Sequence, residues 1–116
     1  RDNISFMKDF VPLESREAEA VKKVCDVFAD MNIIKCTACR YCVDGCPESI
    51  SIPDLFACLN TKNIHKDWNA NFYYGLHTDG KGKASDCIEC GKCEHSCPQH
   101  LEIRSLLKQV AKEFDA

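Results

Sequence analysis

The sequence has little of what most function classes require. None of its 116 residues fall in an apolar run near the roughly 18 that a membrane-spanning helix needs. No positively charged, apolar and small-residue succession of a secretory signal opens it, so neither a membrane nor an oxidising compartment is expected, and the working location is the cytoplasm. Charge of one sign is missing as well. Fifteen Lys and Arg stand against eighteen Asp and Glu, mixed along the chain, for a formal net charge of −3. That leaves no basic face for phosphates, and nucleic acid is not an expected partner. Glycine is scarce, with five residues, and Gly80-Lys81-Gly82 is too short to be a phosphate-cradling loop. Nothing alternates with period two for long enough to make a strand.

Cysteine is what the chain has in excess, with ten residues. Leu, Ile, Val and Phe together make 27 of 116 residues, enough to fold but around a thin core. Domains of this size often need a staple, and cysteines supply one as disulfides or as metal ligands.

An internal repeat decides how to read them. Cys36-Thr-Ala-Cys39-Arg-Tyr-Cys42-Val-Asp-Gly-Cys46-Pro47 overlays Cys87-Ile-Glu-Cys90-Gly-Lys-Cys93-Glu-His-Ser-Cys97-Pro98 at a fixed offset of 51. Downstream, Ile52, Leu55, Phe56 and Leu59 recur as Ile103, Leu106, Leu107 and Val110, at helical spacing in both copies. The repeat units run over about 36–60 and 87–111, each a cysteine-rich loop feeding a helix. Pro53 suits the first turn of the earlier helix, where its missing N–H would have had no intrahelical partner.

Two further helices are expected. Val21, Val24, Cys25 and Phe28 mark one face of a helix from about Glu14 to Asp30, with Ser15 as a candidate N-cap and no capping box. Trp68, Phe72 and Leu76, four apart, mark the apolar face of a short helix between the repeats, followed by an exposed loop over 77–83. The fold class is mainly α.

Cys-x2-Cys-x2-Cys-x3-Cys-Pro is the run that binds 4Fe–4S clusters in bacterial ferredoxins, and its fourth cysteine ligates the other cluster where there are two. Applied here, that rule groups Cys36, Cys39, Cys42 and Cys97 around one cluster and Cys87, Cys90, Cys93 and Cys46 around a second. Each repeat then ends on a ligand of the other's metal. Zinc prefers separated Cys-x2-Cys pairs and leaves the third cysteine without a role. Disulfides would not explain the fixed offset, and a thiol–disulfide oxidoreductase needs a βαβ context that is absent. Two clusters held only by thiolates offer no open site for a substrate, so the expected work is one-electron transfer.

Cys25 and Cys58 lie outside both runs and are expected to be buried free thiols. His95 and His100 fall close enough to the second run to donate to cluster sulfur or to be solvated loop residues. Lys35, Arg40, Lys83 and Lys92 flank the runs as candidate counter-charges. Trp68, Tyr73 and Tyr74 are expected in the core or at a domain interface, with a docking patch as the alternative.

The two cysteine runs, the Ile52-Pro-Asp-Leu-Phe segment and Lys83-Ala-Ser-Asp-Cys-Ile-Glu-Cys resemble the C-terminal ferredoxin extension of bacterial and archaeal aldo/keto reductase-like oxidoreductases. The opening Asn3-Ile-Ser-Phe-Met-Lys-Asp-Phe-Val-Pro-Leu is similar to the segment joining their barrel to that extension. The resemblance implies an α-helical ferredoxin over 14–116, with the cysteine loops lying between helices, and a linker over 1–13. It also implies an upstream (β/α)8 domain as partner, carrying the catalytic residues and any NAD(P). Those residues have no matching positions here, so this chain is expected to have no catalytic site of its own, and its opening without a methionine suggests a piece of a longer protein. The chain departs from the family at Glu14, where a capping Ser is common, and in the extra Cys58. A separate redox protein is a further possible partner. A structural zinc module and a redox- or iron-sensing cluster domain are the competing functions.

Overall fold

The computed structural model describes residues 2–8 and 10–116. Contacts divide the chain into two units, Arg1–Met31 and Asn32–Ala116. The boundary between the units follows Met31, within the span 14–116 that the resemblance implies for the ferredoxin domain.

The first unit holds α1 (Asp2–Lys8), inside the segment expected as linker, and α2 (Ser15–Asp30). Ser15 is not the cap of α2. It occupies the first helical position, and Glu14 is the N-cap, its N–H donating to the Glu17 carboxylate at 2.9 Å. The reciprocal arrangement that Ser15 lacked is therefore supplied one residue earlier, with a carboxylate at the positive end of the helix. Neither helix has a buried residue. Val21, Val24 and Phe28 are exposed, and Cys25 is exposed where a core thiol was expected. The stripe is real but uncovered within this unit, where Ile4, Phe6 and Met7 of α1 are exposed as well.

The second unit contains the repeat. It is built from α3 (Ile52–His65), α4 (Asn69–Thr78), a one-turn 3₁₀ helix (Ala84–Asp86), α5 (Lys92–His95) and α6 (Ile103–Phe114), with no strand among the described residues. Pro53 sits in the first turn of α3. The two long helices start alike: Ile52 N–H donates to the Ile50 carbonyl at 2.9 Å, and Ile103 N–H to the Leu101 carbonyl at 2.9 Å. This inverse γ-turn places Ser51 and Glu102, also 51 apart, at the N-caps. α3 packs on α4 and α6, and α6 packs on the 3₁₀ helix and α5. Ile50, Ile52, Leu55, Phe56, Ile103, Leu107 and Val110 form the fully buried centre.

Cys58 lies in this core as expected, 5% exposed, with burial, and secondarily the Asp54 carboxylate, raising its thiol pKa. The short helix α4 also exists, but its buried face is Ala70 and Tyr74, while Trp68, Phe72, Tyr73 and Leu76 are exposed. Four-residue spacing identifies a helix face without saying which face turns inward. Tyr74 turns inward because both ends of its side chain are satisfied there. Its ring stacks on Phe114 at 4.6 Å, and its hydroxyl donates to Asp115 at 2.9 Å and accepts from Ala84 N–H at 3.0 Å. Helix α4 runs on through His77 and Thr78, so the expected loop is shorter. Within it, Gly82 is required by packing: a Cβ there would collide with the Glu48 carbonyl and lie 2.9 Å from Ile50 Cγ1.

Candidate metal centre

Each cysteine run is shaped by left-handed backbone at the same places. Ala38, Arg40 and Ser49 have φ of 54°, 67° and 53°, and their counterparts Glu89, Gly91 and His100 have 56°, 77° and 51°. Only Gly91 adopts this region freely. For the other five the conformation costs about 1–3 kcal/mol each, and such strain collects where surrounding structure holds a functional arrangement in place. The result is a tight coil that turns cysteines three apart toward one centre. Short bonds close it in both copies: Cys46 N–H to Val43 O at 3.0 Å and Cys97 N–H to Glu94 O at 3.2 Å, then Ser49 N–H to Cys46 O and His100 N–H to Cys97 O, each at 3.1 Å.

The exposure of the thiols repeats with the same offset. Cys42 and Cys93 are buried, Cys39 and Cys90 exposed, and Cys36, Cys46, Cys87 and Cys97 in between. Burial pushes the Cys42 thiol up to about 11, and burial likewise raises Cys93. A thiolate at either position therefore needs a bound cation, which metal coordination supplies.

Two cavities lie beside the coils. One is lined by Cys36, Cys39, Cys42 and Cys97, with Ile52, Pro53, Phe56 and Ile103 among its apolar walls. The other is lined by Cys46, Cys87, Cys90 and Cys93, with Ile50, Ile52 and Leu107. Each combines three cysteines of one run with the fourth of the other, the same sets that the crossed rule groups. Among the described residues, no three His, Cys, Asp or Glu side chains gather closely enough to hold a single metal ion. Four thiols spread around an apolar chamber suit a cluster several atoms across, and the apolar shell limits solvent access. Ala38 N–H also points at Cys36 Sγ, at 3.5 Å.

The flanking charges are used unequally. Arg40 lines the first cavity and is paired with Asp54 at 3.1 Å. Lys92 and Arg104 line the second, where Arg104 is held by Glu94 at 2.8 Å and keeps the Glu94 carboxyl below the usual carboxylate range. Lys35 lines a separate groove with Asn32 and Leu101, and Lys83 caps the 3₁₀ helix, its N–H donating to Asp86 at 2.8 Å. Neither His95 nor His100 lines either cavity. Sequence reasoning missed Arg104, which lies on α6 and reaches the second cavity only through the packing of that helix.

The 4Fe–4S dicluster domain family matches residues 35–102, more than half of the chain and all eight cysteines of the two runs. The chain belongs to this family. Iron–sulfur electron transfer is accordingly the chemistry of this dicluster domain. It is 27% identical to the acetyl-CoA decarbonylase/synthase complex subunit alpha 1 of Methanosarcina acetivorans over 84% of this chain and 11% of that protein. The same subunit of Methanosarcina barkeri is 25% identical over 70% of this chain and 8% of its own length. The pyruvate dehydrogenase (NADP+) of Cryptosporidium parvum is 30% identical over 72% of this chain and 5% of its own length. The dicluster domain thus spans about a tenth or less of these relatives. No solved structure matches it. No helix among the described residues is long and apolar enough to cross a membrane.

Proposed function

We propose that this chain carries two 4Fe–4S clusters, one on Cys36, Cys39, Cys42 and Cys97 and one on Cys87, Cys90, Cys93 and Cys46, and serves as an electron relay for a larger oxidoreductase. The observation that carries the reading is that the fourth cysteine of each run lines the cavity of the other run. When bound, such a cluster supplies a one-electron redox centre whose potential depends on charge, hydrogen bonds to sulfur and exposure. The chain's own residues do the rest. Eight thiolates hold the metal, Ile52, Phe56 and Leu107 exclude water, Ala38 N–H stabilises charge on Cys36, and exposed Cys39 and Cys90 leave one edge of each site near solvent.

The relay has no catalytic residues of its own. Its oxidoreductase is an aldo/keto reductase-like (β/α)8 domain in the cytoplasm, the context to which the opening segment and the cysteine runs point. Any NAD(P) belongs to that domain. The names and sizes of the relatives support the wider reading, since much longer proteins, one of them a pyruvate dehydrogenase, contain a region similar to this chain.

Anaerobic purification followed by iron and sulfide analysis tests the proposal. About eight irons per chain and a visible charge-transfer band bleached by dithionite are expected, whereas stoichiometric zinc without colour would end it. Cys97→Ser tests the crossing: damage belongs to the site of Cys36, Cys39 and Cys42, and damage confined to the second run would refute the ligand sets.

A further inference from the structure

Each cysteine run is preceded by a short segment whose backbone is held by side chains from elsewhere in the second unit. Ile34, two residues before Cys36, donates its N–H to Asn60 Oδ1 at 2.7 Å, and its carbonyl accepts from Asn60 Nδ2 at 2.9 Å. The same carbonyl accepts from Cys36 N–H at 2.9 Å. One peptide group therefore links Asn60 to the first cysteine of the first run.

The second run has an equivalent brace made from different residues. Ala84 N–H donates to the Tyr74 hydroxyl at 3.0 Å, and Ser85 N–H to Asp115 Oδ2 at 3.0 Å, while the Tyr74 hydroxyl donates to that same carboxylate at 2.9 Å. Cys87 N–H donates to the Ala84 carbonyl at 3.3 Å. Again one residue, Ala84, links the brace to the first cysteine. The repeat does not generate this likeness, because the position equivalent to Asn60 is Ala111, which has no polar side-chain atom.

We infer that Asn60 and the Tyr74–Asp115 pair are positioning residues, each dedicated to the first cysteine of one run, so that the two metal sites are held by separate devices. The inference rests on the proposal that these cysteines hold clusters. Asn60 satisfies the half-buried Ile34 N–H and Tyr74 the buried Ala84 N–H, donors that would otherwise lack a protein partner, so each restrains its segment at a cost in freedom already met by folding. Loosening one leaves the other intact, since they share no residue.

The test uses the whole chain purified anaerobically, with two readouts. Hydrogen exchange by mass spectrometry follows the peptides around 32–38 and 83–88, and iron content with the electron paramagnetic resonance of the reduced protein follows the sites. Asn60→Ala speeds exchange in the first peptide alone and lowers iron from about eight to about four per chain. Tyr74→Phe and Asp115→Ala do the same for the second peptide and the other site, and Asp115→Asn, which keeps an acceptor, restores much of the loss. Should Asn60→Ala not fold, Asn60→Asp keeps the acceptor for Ile34 N–H, removes the donor, and makes the same comparison. Equal loss at both sites in every variant, or no change in either readout, overturns the inference. An unsubstituted chain without iron overturns the cluster reading and with it the role given to the braces. That failure appears before any substitution is made, and so is distinct from failure of the variants.

Discussion

The two cysteine sites share a backbone but not the side chains around it. Ligand spacing, left-handed residues, thiol exposure and helix starts repeat at an offset of 51. The surroundings differ: Phe56 walls the first cavity where Leu107 walls the second, and Arg40–Asp54 accompanies one site where Arg104–Glu94 accompanies the other. The difference separates two requirements. Placing four sulfurs depends on chain direction at a few residues and tolerates little change. Filling and charging the walls is done by side chains whose demands are only volume, apolarity and a partner for each buried polar group, and these have diverged.

The largest expected effect comes from the walls. Phe56→Ala removes a fully buried ring and costs about 3–5 kcal/mol of unfolding free energy, against about 2–5 kcal/mol for its counterpart Leu107→Ala. Denaturant unfolding gives those values. Iron analysis then asks whether each wall serves its own cavity, and loss centred on the wrong site would break the comparison.

Tyr74 sharpens it at a smaller scale. Tyr74→Phe leaves the buried Ala84 N–H without its acceptor, a loss of about 1–3 kcal/mol. Burial first, then the Asp115 carboxylate, raises the Tyr74 pKa above its ordinary value of 10.0. The folded state thus holds this proton more tightly than the unfolded state. The resulting stability is whole below about pH 10 and is lost as pH rises through the folded value. Urea midpoints measured against pH fall in the alkaline range for the unsubstituted chain and fall less for Tyr74→Phe. Nothing comparable stands at Asn60, a neutral amide.

The smallest effect belongs to Lys108, which meets Glu89 at 2.9 Å on an exposed surface. Lys108→Gln changes stability by less than about 1 kcal/mol, with the change shrinking further in salt. A larger shift in the thermal midpoint would show that the second site depends on its surface charges more than the first.

Much of the site was legible in the sequence because its chemistry is local. A cysteine run encodes its ligand spacing within twelve residues, and Pro53 with Ile52, Leu55, Phe56 and Leu59 encodes the helix that follows. What escaped was set by contacts distant in sequence. Tyr74 meets Asp115 across 41 residues, Ile34 meets Asn60 across 26, and Arg104 meets Glu94 across ten. The spacing of Trp68, Phe72 and Leu76 marks a helix, but of the aromatics expected in the core or at an interface, Trp68, Tyr73 and Tyr74, only Tyr74 is buried. Cys25 was assigned to a core because its helix is amphipathic, yet that helix buries no residue.

By itself, then, the sequence determined the ligand type, the two runs, their offset and the helices after them, because thiolate chemistry and helical periodicity act over a few neighbouring residues. Only the tertiary structure decided that Tyr74 and not Trp68 turns inward, that Arg104 reaches the second cavity, and that Asn60 and Tyr74–Asp115 brace the cysteines. Those outcomes depend on which buried polar groups find partners and which surfaces meet, and a linear pattern does not carry that information.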